Sequence, residues 1–222
     1  DYDETSTTDV NTKIAGWVEK LYVDFTGQQV IVGQPLLEIY SPDLVAAQEE
    51  YLTALDYHRR LQVSAADNVI RGASDLLAAA AQRLRYWDIT AAQIGELERA
   101  HTVHRRMTIY SPQQGVVIHK SVLDGQYVKP GEHLYRIAEL STVWVLADIY
   151  EYELPWLKTG QKATVTLSYL PGKEFTGRIT YIDPYLNPRT RTATARIILD
   201  NPVGELKPGM YADVEIKTPV SG

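Results

Sequence analysis

A thirteen-residue stretch that occurs twice decides the fold: GQQVIVGQPLLEI at residues 27–39 and GQYVKPGEHLYRI at residues 125–137. Gly, Gln, Val, Gly, Leu and Ile recur at the same six offsets, and the copies begin ninety-eight residues apart. Such similarity within one chain indicates a repeated structural unit. In each copy, short apolar runs are separated by glycines, which is typical of strands joined by tight turns. We therefore predict two halves of one small β-sandwich.

Composition narrows the class of protein. The 222 residues are 45% hydrophobic and 23% charged, which provides enough apolar material for two or three packed modules. A net charge of −6 argues against a nucleic-acid partner, which favours a basic surface. The chain has no cysteine, so thiol catalysis, disulfides and thiolate metal sites are excluded. It also has no G-x-S-x-G, phosphate-loop or H-E-x-x-H motif, so we predict neither an enzyme nor a bound cofactor.

The two copies are separated by a segment with helical periodicity. Ser41 and Pro42 are suited to the cap and the first residue of a helix. Apolar positions then alternate at spacings of three and four, at Leu44, Ala47, Tyr51, Ala54, His58 and Leu61 and again at Ile70, Ala73, Leu77, Ala80, Leu84 and Trp87. This pattern predicts two helices packed as an antiparallel coiled-coil hairpin. Thr90 and Gln93 match a capping box, which predicts a short third helix.

Beyond Leu140 the pattern changes to strands. Apolar and polar residues alternate in five runs that are separated by turn signals, at residues 142–150, 162–170, 174–183, 192–200 and 210–216. Five or six short antiparallel strands of this kind predict a small β-barrel. The polar residues 1–13 are expected to supply an edge strand of that barrel.

These segments together resemble the periplasmic adaptor proteins, or membrane fusion proteins, of tripartite efflux pumps. Residues 16–55, GWVEKLYVDFTGQQVIVGQPLLEIYSPDLVAAQEEYLTAL, resemble the heavy-metal branch of that family, especially its CusB-like copper and silver adaptors. LRYWDITAAQIGELERA at residues 84–100 resembles the short third helix of the metal branch. IDPYLNPRTRTATARIILDNP at residues 182–202 and LKPGMYADVEI at residues 206–216 resemble the family's barrel hairpin and closing strand.

The resemblance implies a mainly β fold with an α-helical hairpin. A split lipoyl-like β-sandwich is interrupted by an antiparallel coiled-coil hairpin and is followed by a small antiparallel β-barrel. The expected division gives residues 14–40 to the first sandwich half, 41–106 to the hairpin with its third helix, 107–140 to the second half, 141–217 to the barrel and 218–222 to a tail.

The resemblance also implies a role. Adaptors of this family link an inner-membrane RND transporter to an outer-membrane channel, and self-association into a ring is expected in the assembled pump. We therefore expect a periplasmic protein, anchored to or associated with the inner membrane, that serves the efflux of copper and silver ahead of zinc, cobalt and cadmium. Both chain ends stop too early for the family's membrane-proximal domain, so we expect a fragment whose signal or anchor lies outside it.

Other functions stay open on the sequence alone. A metal-binding delivery module that hands ions to the pump, or an adaptor for another substrate class, would have the same fold. The only methionines, Met107 and Met210, lie far from the start of the chain, where copper and silver adaptors carry theirs, so the metal is unassigned. The repeat also resembles lipoyl and biotinyl carrier domains, but no Met-Lys-Met or Asp-Lys-Ala string is present to carry a cofactor.

Two histidines are the candidate metal ligands. His101 and His104 are three residues apart, and they would share a face if they lay on a helix. The alternative is a pair of solvent-exposed histidines on a connector. His119 and His133 are interpreted as strand surface, because any pairing of distant histidines would need a tertiary contact that sequence does not show.

Candidate partner-binding residues lie at the predicted hairpin tip and in a barrel hairpin. At the tip they are Ser64, Ala65, Ala66 and Asp67, which have no predicted partner within the chain. In the barrel hairpin they are Arg189 and Arg191, which flank Thr190 in a turn-rich segment.

Overall fold

A computed structural model describes residues 1–63 and 66–218, which belong to two compact units: Thr8–Ile137, and Asp1–Thr7 together with the chain from Ala138 onward. The strands, in chain order, are β1 (Thr7–Asn11), β2 (Gly16–Leu21), β3 (Gln29–Val30), β4 (Pro35–Tyr40), β5 (Arg106–Tyr110), β6 (Gly115–Lys120), β7 (Tyr127–Val128), β8 (His133–Ala138), β9 (Thr142–Tyr150), β10 (Lys162–Thr166), β11 (Glu174–Ile182), β12 (Thr192–Asp200) and β13 (Asp213–Ile216). The helices are α1 (Pro42–Leu61), α2 (Asp67–Tyr86) and α3 (Ala91–Ala100).

The repeated stretches form a β-sandwich in which each copy supplies a strand to the sheet of the other. One sheet has the order β5-β4-β2-β7 and the second has the order β1-β8-β6-β3. The short strand β7 pairs with β2 through Gly16 and Val128, and β3 pairs with β6 through Gly115 and Val30. Val30 and Val128 are 3% and 0% exposed, so the two frames bury equivalent side chains. The predicted mainly β fold with a sandwich made from both copies is confirmed.

Two turns of the repeated stretch require glycine, at Gly33 and at Gly131. Gly33 and Gly131 have φ angles of 76° and 83°, in the left-handed region that side chains with a Cβ rarely adopt. Each glycine also donates its backbone N–H across the sandwich, Gly33 to the Ser111 carbonyl at 2.9 Å and Gly131 to the Thr12 carbonyl at 2.7 Å. The two turns therefore have matching conformations and matching hydrogen bonds.

The amino-terminal segment differs from the expectation. Strand β1 lies beside β8 at the edge of a sandwich sheet, so the prediction that residues 1–13 supply an edge strand of the barrel is wrong for this strand. Val10 is 7% exposed within the sandwich core, and this single buried residue anchors an otherwise polar edge strand. Residues Asp1–Thr7 belong to the barrel unit, where Tyr2 forms an isolated bridge with Val143.

A helical arm interrupts the sandwich between β4 and β5. Its long helices α1 and α2 pack against each other, and Arg83 Nη1 pairs with Glu50 Oε2 across them at 2.7 Å. The seam predicted from the spacing is buried near the sandwich at Leu44, Ala47, Tyr51, Ala80 and Leu84, and Ala73, nearer the tip, is buried as well. Helix α3 begins with the predicted capping box, in which Thr90 and Gln93 exchange side-chain to backbone hydrogen bonds.

The barrel unit contains one five-stranded antiparallel sheet with the order β13-β10-β11-β12-β9. Alternate residues of β12 are buried, so that one face of the sheet carries the core; they are Ala193, Ala195, Ile197 and Leu199. Among the described residues, the edge strands β9 and β13 are not paired with each other, so the sheet is a half-barrel.

Candidate functional site

A buried amide fixes the helical arm to the sandwich. Gln48 on α1 is 2% exposed. Its Nε2 donates to the His104 carbonyl at 2.9 Å, and its Oε1 accepts from the His104 backbone N–H at 2.9 Å. The first helix of the arm is thereby tied to the segment that re-enters the sandwich just before β5. Sequence reasoning missed Gln48, because a polar residue beside the apolar seam gives no signal of burial.

We expect Gln48→Leu to lower the free energy of unfolding by about 2–3 kcal/mol. The substitution keeps an elongated side chain but leaves the N–H and C=O of His104, which are partly buried, without partners. An unsatisfied buried group costs about 1–3 kcal/mol, and partial burial puts these two at the lower end of that range. Denaturant unfolding of the variant and the wild type measures the difference. Gln82→Leu, at an exposed position of α2, is the matched control and should change stability by less than about 0.5 kcal/mol. Equal unfolding midpoints for the two variants would show that the Gln48 bonds add nothing.

The tip of the arm is exposed. Helix α1 ends at Leu61, and Val63 beyond it is 88% exposed. Ser64 and Ala65, two of the predicted partner-binding residues, lie outside the described residues. Ala66 and Asp67, the other two, are exposed at the start of α2, where Ala66 is the cap residue and provides no side-chain hydrogen bond.

The structure does not place His101 and His104 on one helical face. Helix α3 ends at Ala100, and His101 follows it in the left-handed conformation with a φ of 49°. The His101 Nε2 lies 3.2 Å from Asp56 Oδ2. His104 is held through its backbone by Gln48, and its Nε2 is buried without a hydrogen-bond partner in the described part of the chain. The two histidines therefore do not share the helical face assumed for them, and their role as metal ligands stays a prediction.

The barrel loop between β11 and β12 presents two exposed guanidinium groups. Asn187 shapes this loop: its Oδ1 accepts from the Arg189 N–H at 3.0 Å, and its carbonyl accepts from the Arg191 N–H at 2.8 Å. Beside the loop, Tyr150 and Tyr152 stack with ring centroids 5.6 Å apart, and Arg191 lines the same shallow depression. Sequence reasoning identified the arginines but not the tyrosines, which are 51% and 67% exposed.

Residues 1–63 and 66–218 contain neither a cluster of metal ligands nor a membrane-spanning helix. No group of three or more His, Asp or Glu side chains in these ranges is arranged to hold a metal ion. No helix within them is long and apolar enough to cross a membrane.

Two protein-family models match the chain. The model for the CusB barrel-sandwich hybrid domain matches residues 7–138, which contain the sandwich and the arm. The model for the CusB-like beta-barrel domain matches residues 142–220. The two matches cover both units of the structure.

Curated relatives include efflux proteins for cations. The chain is 29% identical over 218 residues to the cation efflux system protein CusB of Escherichia coli K12, covering 98% of this chain and 50% of the relative. It is 26% identical over 227 residues to the cobalt-zinc-cadmium resistance protein CzcB of Cupriavidus metallidurans, covering 97% of this chain and 43% of the relative. The chain therefore spans about half the length of the curated relatives it matches.

Solved structures show the same architecture. ZneB from Cupriavidus metallidurans superposes with a TM-score of 0.61 at 26% identity, covering 96% of this chain and 93% of that protein. A MacA-MexA chimeric protein, which contains the Pseudomonas aeruginosa MexA alpha-hairpin domain, superposes with a TM-score of 0.67 at 23% identity, covering 98% and 78%. At the identity of the chimera, the likeness shows the fold alone.

Proposed function

The chain belongs to the CusB-like family of adaptors of heavy-metal RND efflux systems, and on this premise we propose that it links an inner-membrane RND transporter to an outer-membrane channel. Proteins of this family are non-catalytic linkers. The observation that carries the proposal is the helical arm, which leaves a sandwich of the family type, is fixed at its base by Gln48 and has an exposed tip.

The arm tip is assigned to the channel. Helices α1 and α2 have 20 residues each and are about 30 Å long at about 1.5 Å per residue. Their mutual packing as a coiled-coil hairpin makes a stiff projection that suits helix-on-helix contact with a channel. In this role Ser64, Ala65, Ala66 and Asp67 form the contact surface.

The barrel loop is assigned to the transporter. Arg191 lines the same depression as the exposed Tyr150 and Tyr152, and the exposed Arg189 lies two residues before it in the loop. Arginine and tyrosine are enriched among the residues that dominate binding energy at protein interfaces, because they combine a large contact area with directed hydrogen bonds. The stacked tyrosines are already ordered, which reduces the entropy lost on binding.

The remaining parts have structural roles in this proposal. Residues 14–40 and 107–140 act as one lipoyl-like sandwich, residues 41–106 as the arm with its third helix, residues 141–217 as the barrel and residues 218–222 as a tail. The protein works in the periplasm at the inner membrane, and copies associate into a ring in the assembled pump. The cation efflux system protein CusB and the cobalt-zinc-cadmium resistance protein CzcB match at similar identity, 29% and 26%. We place copper and silver before zinc, cobalt and cadmium on the resemblance of residues 16–55.

Growth of a deletion strain tests the proposal. Removal of the gene is expected to lower the concentrations of copper and silver that stop growth, and full-length wild-type protein should restore them. Tolerance to zinc, cobalt and cadmium is measured in parallel, and a loss confined to those ions would transfer the assignment to them. Unchanged tolerance to all five metals would contradict a heavy-metal adaptor and favour another substrate class.

The alternative function, a module that delivers bound ions to the pump, makes a different prediction. A linker loses activity when its contact surfaces change, even if metal binding is intact. A delivery module loses activity when its metal ligands change, even if the arm and loop are intact. The two functions are therefore separated when variants of the arm tip and barrel loop are compared, in the same growth assay, with variants of the metal-binding side chains.

A further inference from the structure

Two histidines that are fourteen residues apart in sequence meet on the outer surface of the sandwich. His119 is on β6 and His133 is on the adjacent strand β8, with ring centroids 5.5 Å apart at an interplanar angle of 85°. The Nδ1 atoms of both rings are directed at the same atom, Ser121 Oγ, at 3.1 Å and 3.4 Å. The tertiary contact that sequence could not show is therefore present at this pair.

A carboxylate orients one of the two rings. His133 Nε2 lies 3.1 Å from Asp9 Oδ1, and Asp9 also accepts from Arg136 Nε at 2.6 Å and from Arg136 Nη2 at 2.9 Å. A carboxylate oxygen accepts hydrogen bonds, so the contact with Asp9 favours the tautomer with the proton on His133 Nε2. The lone pair of His133 Nδ1 is then directed at the Ser121 position.

The first copy of the repeat shows that the fold does not require these side chains. When the copies are aligned on Gly16 and Gly115, Lys20 stands where the second copy has His119. When they are aligned on Gly33 and Gly131, Pro35 stands in place of His133. The same sandwich strands form in both copies, so the imidazole pair is a feature added to the second copy.

From this convergence we propose that His119 and His133 together bind one divalent transition-metal ion of the zinc or copper(II) type. Neutral imidazole is a preferred ligand of these borderline ions, whereas soft monovalent ions favour thiolates and thioethers. The ion takes the place of the Ser121 hydroxyl, which lies between the two Nδ1 atoms and rotates away. Both nitrogens then approach the ion to the zinc–nitrogen bond length of about 2.0–2.1 Å. A ligand histidine whose other nitrogen donates to a carboxylate is a recurrent arrangement in metal sites, and Asp9 completes it here. Water fills the remaining coordination positions of the ion. The proposed metal site does not depend on the proposed adaptor function.

Calorimetric titration of the purified chain with zinc chloride and copper(II) chloride tests the site. We expect one ion per chain. His119→Gln and His133→Gln should each weaken binding by more than about tenfold, since even the loss of an outer hydrogen-bond partner costs about 10–100-fold. Asp9→Asn should weaken binding within that range, and Ser121→Ala should retain it because the hydroxyl is displaced. Melting temperatures close to the wild-type value establish that each variant is folded.

The control is the double variant His101→Gln with His104→Gln, which should bind metal like the wild type. Binding that is lost in this control and retained in His119→Gln would overturn the assignment. A wild-type chain that binds neither ion more tightly than the double variant His119→Gln with His133→Gln would overturn it equally. Neither result contradicts the adaptor function, because that function is tested by metal tolerance of the deletion strain and not by metal binding.

Discussion

Gly177→Ala is expected to destabilise the half-barrel sheet by about 3 kcal/mol, the upper part of the range for overpacking a core. Gly177 lies on β11, and a Cβ added there would stand 2.6 Å from Ile197 Cγ2, 2.6 Å from the Ile198 carbonyl oxygen and 2.6 Å from Leu199 Cδ2. A rotamer change can move a side-chain terminus, but the carbonyl belongs to the neighbouring strand β12. One added methyl group therefore forces the two strands apart, at the centre of a five-stranded sheet.

The measurement is denaturant unfolding, with the transition of the barrel unit resolved from that of the sandwich unit, because separate units need not unfold together. Gly95→Ala is the matched control. Gly95 lies within α3, and an added Cβ there would meet no atom within 4 Å. Alanine should raise stability by about 0.5–1 kcal/mol at this position, because glycine is costly inside a helix. A Gly177→Ala protein that unfolds at the wild-type midpoint would contradict the close approach of β11 and β12.

The sandwich could be predicted because one pattern encodes it twice. Periodicity locates the strands, and the repeated glycines mark turns whose φ angles are positive in both copies. Sequence could not show that β3 and β7 exchange sheets, since a two-residue strand has no periodicity of its own. The exchange depends on contacts between the copies, and in it Val30 and Val128 are both buried in the core.

The helices were predictable for a similar reason and the polar contacts were not. Spacings of three and four mark a buried seam, and a capping box is local in sequence. Gln48, by contrast, is paired with a backbone segment fifty-six residues away, and His119 meets His133 only across two strands. Polar residues of this kind are placed by tertiary structure, so their sequence neighbours carry no information about their partners. The edge strand β1 was misassigned because a polar segment with one buried valine fits either sheet.

Asp67→Lys is expected to reduce metal tolerance in cells to the level of the deletion strain while the protein stays folded. Asp67 is the first residue of α2 and is exposed at the arm tip. The loss of a favourable helix-dipole contact costs only about 0.3–1 kcal/mol at such a site, so the fold tolerates the change. A like-charge contact across an interface costs several kcal/mol, which is enough to prevent docking if the channel presents a complementary surface to the tip.

Asp75→Lys provides the control for charge, because it makes the same substitution at an exposed position farther along α2. If the contact is confined to the tip, full-length protein with Asp75→Lys should restore tolerance and full-length protein with Asp67→Lys should not. Equal periplasmic amounts and equal melting temperatures are required of both, so that folding and export are excluded as causes. Loss of tolerance in both variants would place the contact along the whole arm. Full tolerance in a stable Asp67→Lys protein would reject the tip as the docking surface.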